Sequence, residues 1–277
     1  MNSLASKIAL VTGASRGVGK GIALGLGEAG ATVYITGRTV DQGTSAANLP
    51  GTIHQTAEEV TQLGGHGIAV YCDHRNDDEV RAVFDKIRSE QNRLDVLVNN
   101  VWGGYEHFSD GTEFWKESGF WTMPFSRWDS MFSAGVRCHY VSSALASPIM
   151  IAQGAGLIVN ISFFAARRDD GGVAYGVAKN ASDRMAACMA SELREHNVAA
   201  ISLYPGLVRT ESVLQSDFDL SNSESPQFIG RAVAALLEDP QIMDRSGQVL
   251  VAAKLALEYG FTDVDGKQPR PLSYDEI

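Results

Sequence analysis

The sequence alternates between short apolar runs and longer stretches with helical spacing, and this alternation most constrains the fold. The apolar runs are continuous and rich in β-branched residues, which is typical of strands buried on both faces of a parallel sheet. The runs cover residues 7–12, 31–36, 67–72, 94–99, 156–161, 198–204 and 247–251. Helical spacing lies between them, as in residues 17–29, 77–91, 175–196 and 226–238. The pattern predicts an α/β Rossmann-type fold, with a doubly wound parallel sheet of seven strands flanked by helices.

The chain shows neither a linker nor an internal repeat, so we expect one domain over residues 1–277. Two segments interrupt the alternation of strands and helices. Residues 37–51 are rich in Gly, Thr, Ser and Asn and suggest an extended loop, whereas residues 102–128 are irregular and unusually aromatic. Long loops inside compact domains are usually functional or disordered, and so much aromatic mass argues against disorder.

The composition excludes several classes of protein. A net charge of -10 argues against a nucleic-acid binder or a binder of anionic membranes. Cys72, Cys138 and Cys188 are scattered and form no CxxC pair, so neither a disulfide framework nor a metal site is expected. Free thiols fit a reducing compartment, and we predict a cytoplasmic location. No apolar run is long enough to span a membrane, and we expect no signal peptide before the first strand.

The first strand leads directly into a glycine-rich turn at residues 12–19, TGASRGVG. Glycines permit a tight turn and a close approach to a pyrophosphate, and the start of the following helix offers free N–H groups. A flexible turn is the alternative for the spacing alone, but its place in the first βαβ unit favours dinucleotide binding. The candidate cofactor-binding residues of the turn are Gly13, Ser15, Arg16, Gly17, Val18 and Gly19.

The end of the second strand indicates which nicotinamide cofactor binds. NAD-binding units place an acidic residue there for the ribose hydroxyls, but this chain has Arg38 after Gly37. Arg16 is a second nearby cation, and a guanidinium matches a phosphate geometrically. Each arginine alone is equally well explained as a solvated surface residue. The two together favour NADP(H) as the cofactor, with NAD(H) as the alternative.

Tyr175 is the one tyrosine of the eight with a lysine four residues later, Lys179. Residues at this spacing share one face of a helix, so the phenol and the ammonium can reach one site. A nearby ammonium favours the phenolate and lowers the pKa of a tyrosine toward the range useful for acid–base catalysis. A Tyr-x-x-x-Lys pair is common by chance, but this one follows the fifth strand and opens a helical pattern.

The turn, the Tyr-x-x-x-Lys pair and their order resemble the short-chain dehydrogenase/reductase family over residues 7–210. The resemblance implies an oxidoreductase of the EC 1.1.1 type. In that family the tyrosine, here Tyr175, exchanges a proton with the substrate oxygen as hydride moves to or from the nicotinamide. The resemblance assigns Lys179 to the nicotinamide ribose as well, and it makes Ser162, after the fifth strand, the residue that hydrogen-bonds the substrate oxygen.

The same resemblance implies further cofactor contacts. Asp73 matches the residue at the adenine, and the turn that carries Asn99 and Val101 matches the family's Asn-Asn-Ala-Gly, with Trp102 in place of the glycine. The segment after the sixth strand matches the one that binds the nicotinamide amide and the phosphates. Its candidate residues are Pro205, Gly206, Val208 and Thr210. Residues 211–225 take the place of the family's substrate lid.

Two positions depart from the family pattern. Gly135 stands where the family commonly has an asparagine that helps to hold a water next to the lysine, and Phe163 stands where a second serine is frequent. His139, one helical turn after Gly135, is a candidate replacement for the asparagine, although a packed histidine is the more ordinary explanation. Gly135 and the C-terminal segment resemble one branch of the family, the dehydrogenase/reductase SDR family member 1 group.

The substrate is expected to be a hydrophobic carbonyl or alcohol, because the aromatic segment 102–128 lies at the carboxyl end of the sheet. Packing of this segment on its own domain or on a partner subunit is the alternative. Homodimers or homotetramers are expected by analogy with the family. A nucleotide-sensing protein that has lost turnover is the competing function, and Gly135 is the feature that favours it.

Overall fold

Seven parallel strands form one sheet. They are β1 Ile8–Val11, β2 Thr32–Gly37, β3 His66–Tyr71, β4 Val96–Asn99, β5 Gly156–Ile161, β6 Val198–Tyr204 and β7 Val249–Val251. Their order in the sheet is β3-β2-β1-β4-β5-β6-β7. The structure is a computed structural model, and it describes residues 3–43, 45, 49–104, 119–169 and 172–273. The strand order confirms the predicted doubly wound, seven-stranded Rossmann sheet.

Eight α-helices surround the sheet within the described residues. They are α1 Gly17–Glu28, α2 Ile53–Gln62, α3 Asp77–Gln91, α4 Phe125–Met131, α5 Cys138–Gln153, α6 Val173–Leu193, α7 Pro226–Glu238 and α8 Ala252–Tyr259. A π-helical segment, Phe132–Arg137, joins α4 to α5. The prediction of an irregular segment up to residue 128 was wrong at its end, because α4 already begins at Phe125. Residues 105–118 of that segment lie outside the described part of the chain.

The inner strands of the sheet are buried on both faces, which explains their continuous apolar sequence, whereas the edge strand β3 is only partly buried. In β1, Val11 packs into the cluster that includes Ile22 of α1 and Phe228 of α7. The preceding residue, Leu10, points to the opposite face and packs with Phe84 of α3. Each such fully buried side chain contributes roughly 1.5–3 kcal/mol to folding. The two apolar layers therefore fix the helices on either side of the sheet.

Helices α1 and α7 approach closely where each has a glycine. A Cβ added to Gly25 would lie 2.5 Å from the carbonyl carbon of Gly230, so no larger residue fits there without displacing a helix. Ser225 is the N-cap residue of α7, and its hydroxyl accepts the N–H of Phe228 at 3.1 Å. The first residue of α7 also lies against α1, since a Cβ on Gly21 would lie 2.0 Å from the carbonyl carbon of Pro226.

The carboxyl ends of all seven parallel strands lie at one edge of the sheet, the edge where ligands bind in open α/β folds. Thr12, Asn100, Ser162 and Pro205 directly follow β1, β4, β5 and β6 at this edge. Helices α1 and α6 begin beyond it. None of the described helices is both long enough and apolar enough to cross a bilayer.

Candidate functional site

The glycine-rich turn after β1 is held against the end of β4. The side-chain amide of Asn100 donates to the carbonyl oxygens of Thr12 at 3.0 Å and Gly13 at 2.9 Å. Gly13 and Gly17 have φ angles of +67° and +57°, in the left-handed region that favours glycine. A Cβ on Gly19 would lie 2.4 Å from the Asn100 nitrogen. The turn is therefore preorganised, with its backbone open to a close ligand.

The first turn of α1 contains no acidic residue, and the side chain of Arg16 does not cap it. The carboxylate of Glu211 lies there and accepts the N–H of Gly17 at 3.0 Å. Thr210 is adjacent, since a Cβ on Gly17 would meet its methyl group at 3.6 Å. An anionic group thus already occupies the helix N-terminus. The predicted binding of a pyrophosphate at this helix N-terminus stays a prediction, because the Glu211 carboxylate holds that place here.

Arg16 and Arg38 lie close together beside this turn. The Arg16 guanidinium donates to the carbonyl oxygens of Pro50 at 2.9 Å and Gly51 at 2.9 Å. Burial lowers the pKa of Arg16, Glu211 opposes this effect, and the charge of Arg38 lowers the pKa further. The Arg38 side chain is half exposed, and its nitrogen lies 4.0 Å from a carboxylate oxygen of Asp73. One arginine thus holds the loop, while the other faces outward.

Asp73, predicted at the adenine, is engaged by a cation from its own loop. Arg75 donates two hydrogen bonds to the Asp73 carboxylate, at 3.0 and 2.6 Å. These bonds hold the pKa of Asp73 below its usual range, although burial opposes them. Asp73 lies at the correct edge of the sheet, after β3. Its contact with a cofactor stays a prediction.

Four other residues predicted to contact the cofactor differ in how much of their side chain reaches the carboxyl edge of the sheet. Ser15 is buried and Val18 is half-buried in the turn and the first turn of α1. The Asn99 side chain lies inside the sheet, where its amide donates to Ser143 and to Asn160, each at 2.9 Å. The N–H of Val101 donates to the Thr12 hydroxyl at 3.2 Å. Because the Asn99 side chain is fully buried, only the backbone of Asn99 could contact a cofactor.

The segment after β6 contains an acid that sequence reasoning missed. The N–H of Gly206 donates to a carboxylate oxygen of Glu224 at 2.7 Å, and Val208 forms a β-bridge with Glu224. Burial raises the pKa of Glu224 to about 7. The Pro205–Gly206 turn is therefore held by a buried carboxyl group from the predicted lid segment. No motif marks Glu224, because its partner is a backbone amide.

Tyr175 and Lys179 lie together on the face of α6 that meets the sheet edge. Both are buried, with exposed fractions of 7% and 5%. The Lys179 Nζ lies 5.5 Å from the centre of the Tyr175 ring and donates to the Ile161 carbonyl at 3.3 Å. Burial lowers the pKa of Lys179 to about 7, and the charge of Asp183 opposes this. The structure therefore brings the predicted acid–base pair together.

Ser162 directly follows β5 and contacts α6, where the proton of its hydroxyl is already engaged. The side chain is 2% exposed, and Oγ donates to the backbone carbonyl of Lys179 at 3.1 Å. The next residue, Phe163, packs beside the catalytic candidate, with 6.3 Å between its ring centre and that of Tyr175. Ser162 thus supports the backbone of α6, and the ring of Phe163 lies beside Tyr175.

The indole of Trp102 lies next to Gly135, the position where the family commonly has an asparagine. The Trp102 ring meets Tyr175 edge-on at 5.6 Å between centres, and the Lys179 Nζ lies 3.6 Å from the centre of the Trp102 ring. His139, the candidate replacement, is buried, and its Nε2 bonds the Val101 carbonyl at 3.0 Å. Burial lowers the pKa of His139 to about 3, so it stays neutral.

Comparison with known proteins gives this site a context. A family model described as short chain dehydrogenase matches residues 7–219. The Dehydrogenase/reductase SDR family member 1 of Mus musculus is 41% identical over 277 residues, covering 94% of this chain and 84% of the relative.

Two solved structures are also similar. A metagenomic short-chain oxidoreductase in complex with NADP has a TM-score of 0.68 and 29% identity, and the match covers 90% of this chain and 97% of that one. A 7 alpha-hydroxysteroid dehydrogenase complexed with NADH and 7-oxo glycochenodeoxycholic acid has a TM-score of 0.72 and 28% identity, with 90% and 94% covered.

Proposed function

The chain belongs to the short-chain dehydrogenase/reductase family, and from that premise we propose that it is an NADP(H)-dependent oxidoreductase acting on a hydrophobic carbonyl or alcohol. Its similarity to the SDR family member 1 group confirms the branch suggested by Gly135 and the C-terminal segment. The observation that carries the proposal is the buried pair of Tyr175 and Lys179, at the same edge of the sheet as the glycine-rich turn.

A nicotinamide cofactor bound at this edge of the sheet would supply or accept the hydride. Tyr175 donates its hydroxyl proton to the carbonyl oxygen in reduction and takes the proton back in oxidation. The ammonium of Lys179, on the same face of α6, stabilises the phenolate that forms. Ser162 fixes the helix backbone at Lys179, and Phe163 and Trp102 surround Tyr175 with apolar surface.

We propose NADP(H) over NAD(H) because Arg16 and Arg38 converge near the end of β2, where no acidic residue follows the strand. A 2′-phosphate there would meet the half-exposed Arg38 guanidinium. Similar structures hold NADP in one case and NADH in the other. The preference therefore depends on these two arginines of the present chain.

The aromatic surroundings of Tyr175 support a hydrophobic substrate, and a structural neighbour was solved with a 7-oxo compound. We further propose a homodimer or homotetramer, which light scattering on the purified chain would test. Buried free thiols at Cys72 and Cys138 agree with a reducing compartment such as the cytoplasm.

The function is tested by NADPH oxidation with a panel of hydrophobic ketones, aldehydes and quinones. We expect turnover with at least one class, lost by more than a hundredfold in Tyr175→Phe, in the range typical of a general acid. Tyr71→Phe is the matched control, because Tyr71 is exposed at the end of β3. NADPH fluorescence should show that Tyr175→Phe still binds the cofactor.

Two outcomes would change the proposal. Unchanged turnover in Tyr175→Phe would contradict the role of Tyr175. Tight NADPH binding without turnover on any class of carbonyl or alcohol would instead support the competing function, a protein that senses nucleotide without chemistry.

A further inference from the structure

The ammonium of Lys179 is enclosed by an aromatic face. Its Nζ lies 3.6 Å from the centre of the Trp102 ring, and the whole residue is 5% exposed. The carbonyl of Ile161 accepts a hydrogen bond from Nζ at 3.3 Å. An indole face attracts a cation electrostatically, but it also takes the place of water around it. Trp102 thus both holds the ammonium and restricts its hydration.

Gly135 provides the space for the indole. A Cβ on Gly135 would lie 2.8 Å from two carbon atoms of the Trp102 ring, so any side chain there would displace the ring. Gly135 belongs to the π-helical segment Phe132–Arg137. Segments of this kind are rare and are frequently found at functional sites. The glycine and the tryptophan are therefore complementary in shape.

The backbone that carries Trp102 is also fixed. The preceding residue, Val101, donates its N–H to the Thr12 hydroxyl at 3.2 Å, and its carbonyl bonds His139 Nε2 at 3.0 Å. The indole packs edge-on against Tyr175. Contacts from β1, α5 and α6 thus set the position of one ring over one ammonium group.

The titratable groups around Lys179 come from three directions. Tyr175 and Asp183 lie one turn before and one turn after it on α6, and His139 faces it from α5. Burial keeps His139 neutral by lowering its pKa. The carboxyl group of Asp183 accepts the Tyr204 hydroxyl, and burial raises its pKa. From β5 come the uncharged Ile161 carbonyl and Ser162 hydroxyl.

We propose that Trp102, admitted by Gly135, is a positioning residue that holds Lys179 beside Tyr175, excludes water from its ammonium, and so sets the pH range in which the pair works. The proposal rests on the acid–base role given to Tyr175 and Lys179 above. Removing water from a lysine ammonium disfavours its charged form more than the cation–π attraction of an aromatic ring favours it. Loss of the ring should therefore return Lys179 toward ordinary lysine behaviour.

The test is an NMR titration of the full-length protein carrying 13Cε-labelled lysine. The chain has seven lysines, and Lys179→Arg assigns the signal of interest. In the native protein we expect the Lys179 signal to titrate well before the other six. In Trp102→Ala, water reaches the ammonium, and the midpoint should rise by at least one pH unit, a tenfold change in proton affinity.

Two further variants and a control complete the experiment. Trp102→Phe keeps a smaller ring and should give a smaller rise, and Gly135→Ala should raise the midpoint by pushing the indole away. If Trp102→Ala does not fold, the Lys179 midpoints of these two variants test the proposal instead. Trp121→Ala is the matched control, because Trp121 is 78% exposed. Its Lys179 midpoint should equal that of the native protein.

The proposal is overturned if the Lys179 midpoint is the same in all Trp102 and Gly135 variants that fold, or if native Lys179 titrates together with the other lysines. The measurement needs no substrate. A failure to find turnover would therefore count against the proposed enzyme and leave this result standing. Where turnover is found, the pH profile of kcat in Trp102→Phe should shift upward with the midpoint.

Discussion

The carboxylate of Glu211 accepts a hydrogen bond from the backbone N–H of Gly17, with 3.0 Å between the two atoms. Gly17 is the first residue of α1, so this acid from the segment after β6 lies at the positive end of the helix dipole. A pyrophosphate is attracted to the same end. Glu211 and a dinucleotide would therefore compete for one place.

The first prediction is that Glu211→Gln binds NADPH more tightly than the native protein. The amide keeps the shape of the side chain but removes the negative charge that faces the pyrophosphate. An interaction of this kind at a helix terminus corresponds to roughly a two- to fivefold change in affinity. Titration of NADPH fluorescence at low ionic strength measures it, and added salt should reduce the difference.

Asp217→Asn is the control for this variant, because Asp217 is an exposed acid of the same segment and its change alters the net charge equally. Its NADPH affinity should match that of the native protein. If Glu211→Gln bound NADPH more weakly, the Glu211 carboxylate would be organising the glycine-rich turn. It would then not be competing with the pyrophosphate for the N-terminus of α1.

The second prediction concerns the choice of cofactor. Arg38→Asp should weaken NADPH binding by at least about tenfold, since a charge-assisted hydrogen bond to the 2′-phosphate is lost and a repulsive charge is added. NADH binding should change little. Arg88→Asp, on the exposed side of α3, is the control for the charge change. An unchanged ratio of the two affinities in Arg38→Asp would contradict the assignment of Arg38.

The strands and the main helices could be predicted because their signal is local. Continuous apolar runs such as 198–204 coincide with β6, and the pattern at 226–238 coincides with α7. Helix α2 was missed, since the sequence before Ile53 is loop-like and its apolar positions are few. The start of α4 was missed because the aromatic residues around Phe125 hide any helical periodicity.

The site was predictable where a motif places residues on one element. Tyr175 and Lys179 share a helix, so their meeting follows from spacing alone. The contact of Trp102 with Lys179 could not be predicted, because it depends on the space above Gly135 and joins segments far apart in the chain. Gly135 was noticed only as a missing asparagine, and the sequence does not show what fills the gap.

The orientation of Ser162 gives the third prediction. Its hydroxyl donates to the backbone carbonyl of Lys179. Ser162→Ala should therefore lower the free energy of unfolding by about 1 kcal/mol, the net contribution of one hydrogen bond. Turnover should fall by much less than in Tyr175→Phe. Urea unfolding and steady-state kinetics on the same preparations measure both effects.

Ser147→Ala provides the comparison for Ser162, since the Ser147 hydroxyl donates to the Ser143 carbonyl at 2.8 Å within α5. It should leave turnover unchanged, and its cost in stability should be smaller, because alanine is the better helix former. Near-complete loss of turnover in Ser162→Ala at unchanged stability would favour the family role for Ser162, a hydrogen bond to the substrate oxygen.

The last prediction follows from the buried carboxyl of Glu224, which accepts the N–H of Gly206. Burial raises the pKa of Glu224 to about 7, above the value of about 4.3 expected in the unfolded chain. Between these values the folded protein binds more protons than the unfolded one. This carboxyl group therefore makes the free energy of unfolding fall as pH rises through that window.

Glu224→Gln stays neutral at every pH and keeps an oxygen for the Gly206 N–H. Relative to the native protein, its free energy of unfolding should rise between pH 4.5 and 7.5, by at most about 3 kcal/mol. Urea unfolding at several pH values gives this difference. A pH-independent effect of the amide on stability shifts the difference equally at every pH, so it does not change the slope of the difference against pH. Glu192→Gln, at an exposed position of α6, should show no such slope. A flat difference for Glu224→Gln would mean that the carboxyl group is already ionised at low pH in the folded protein.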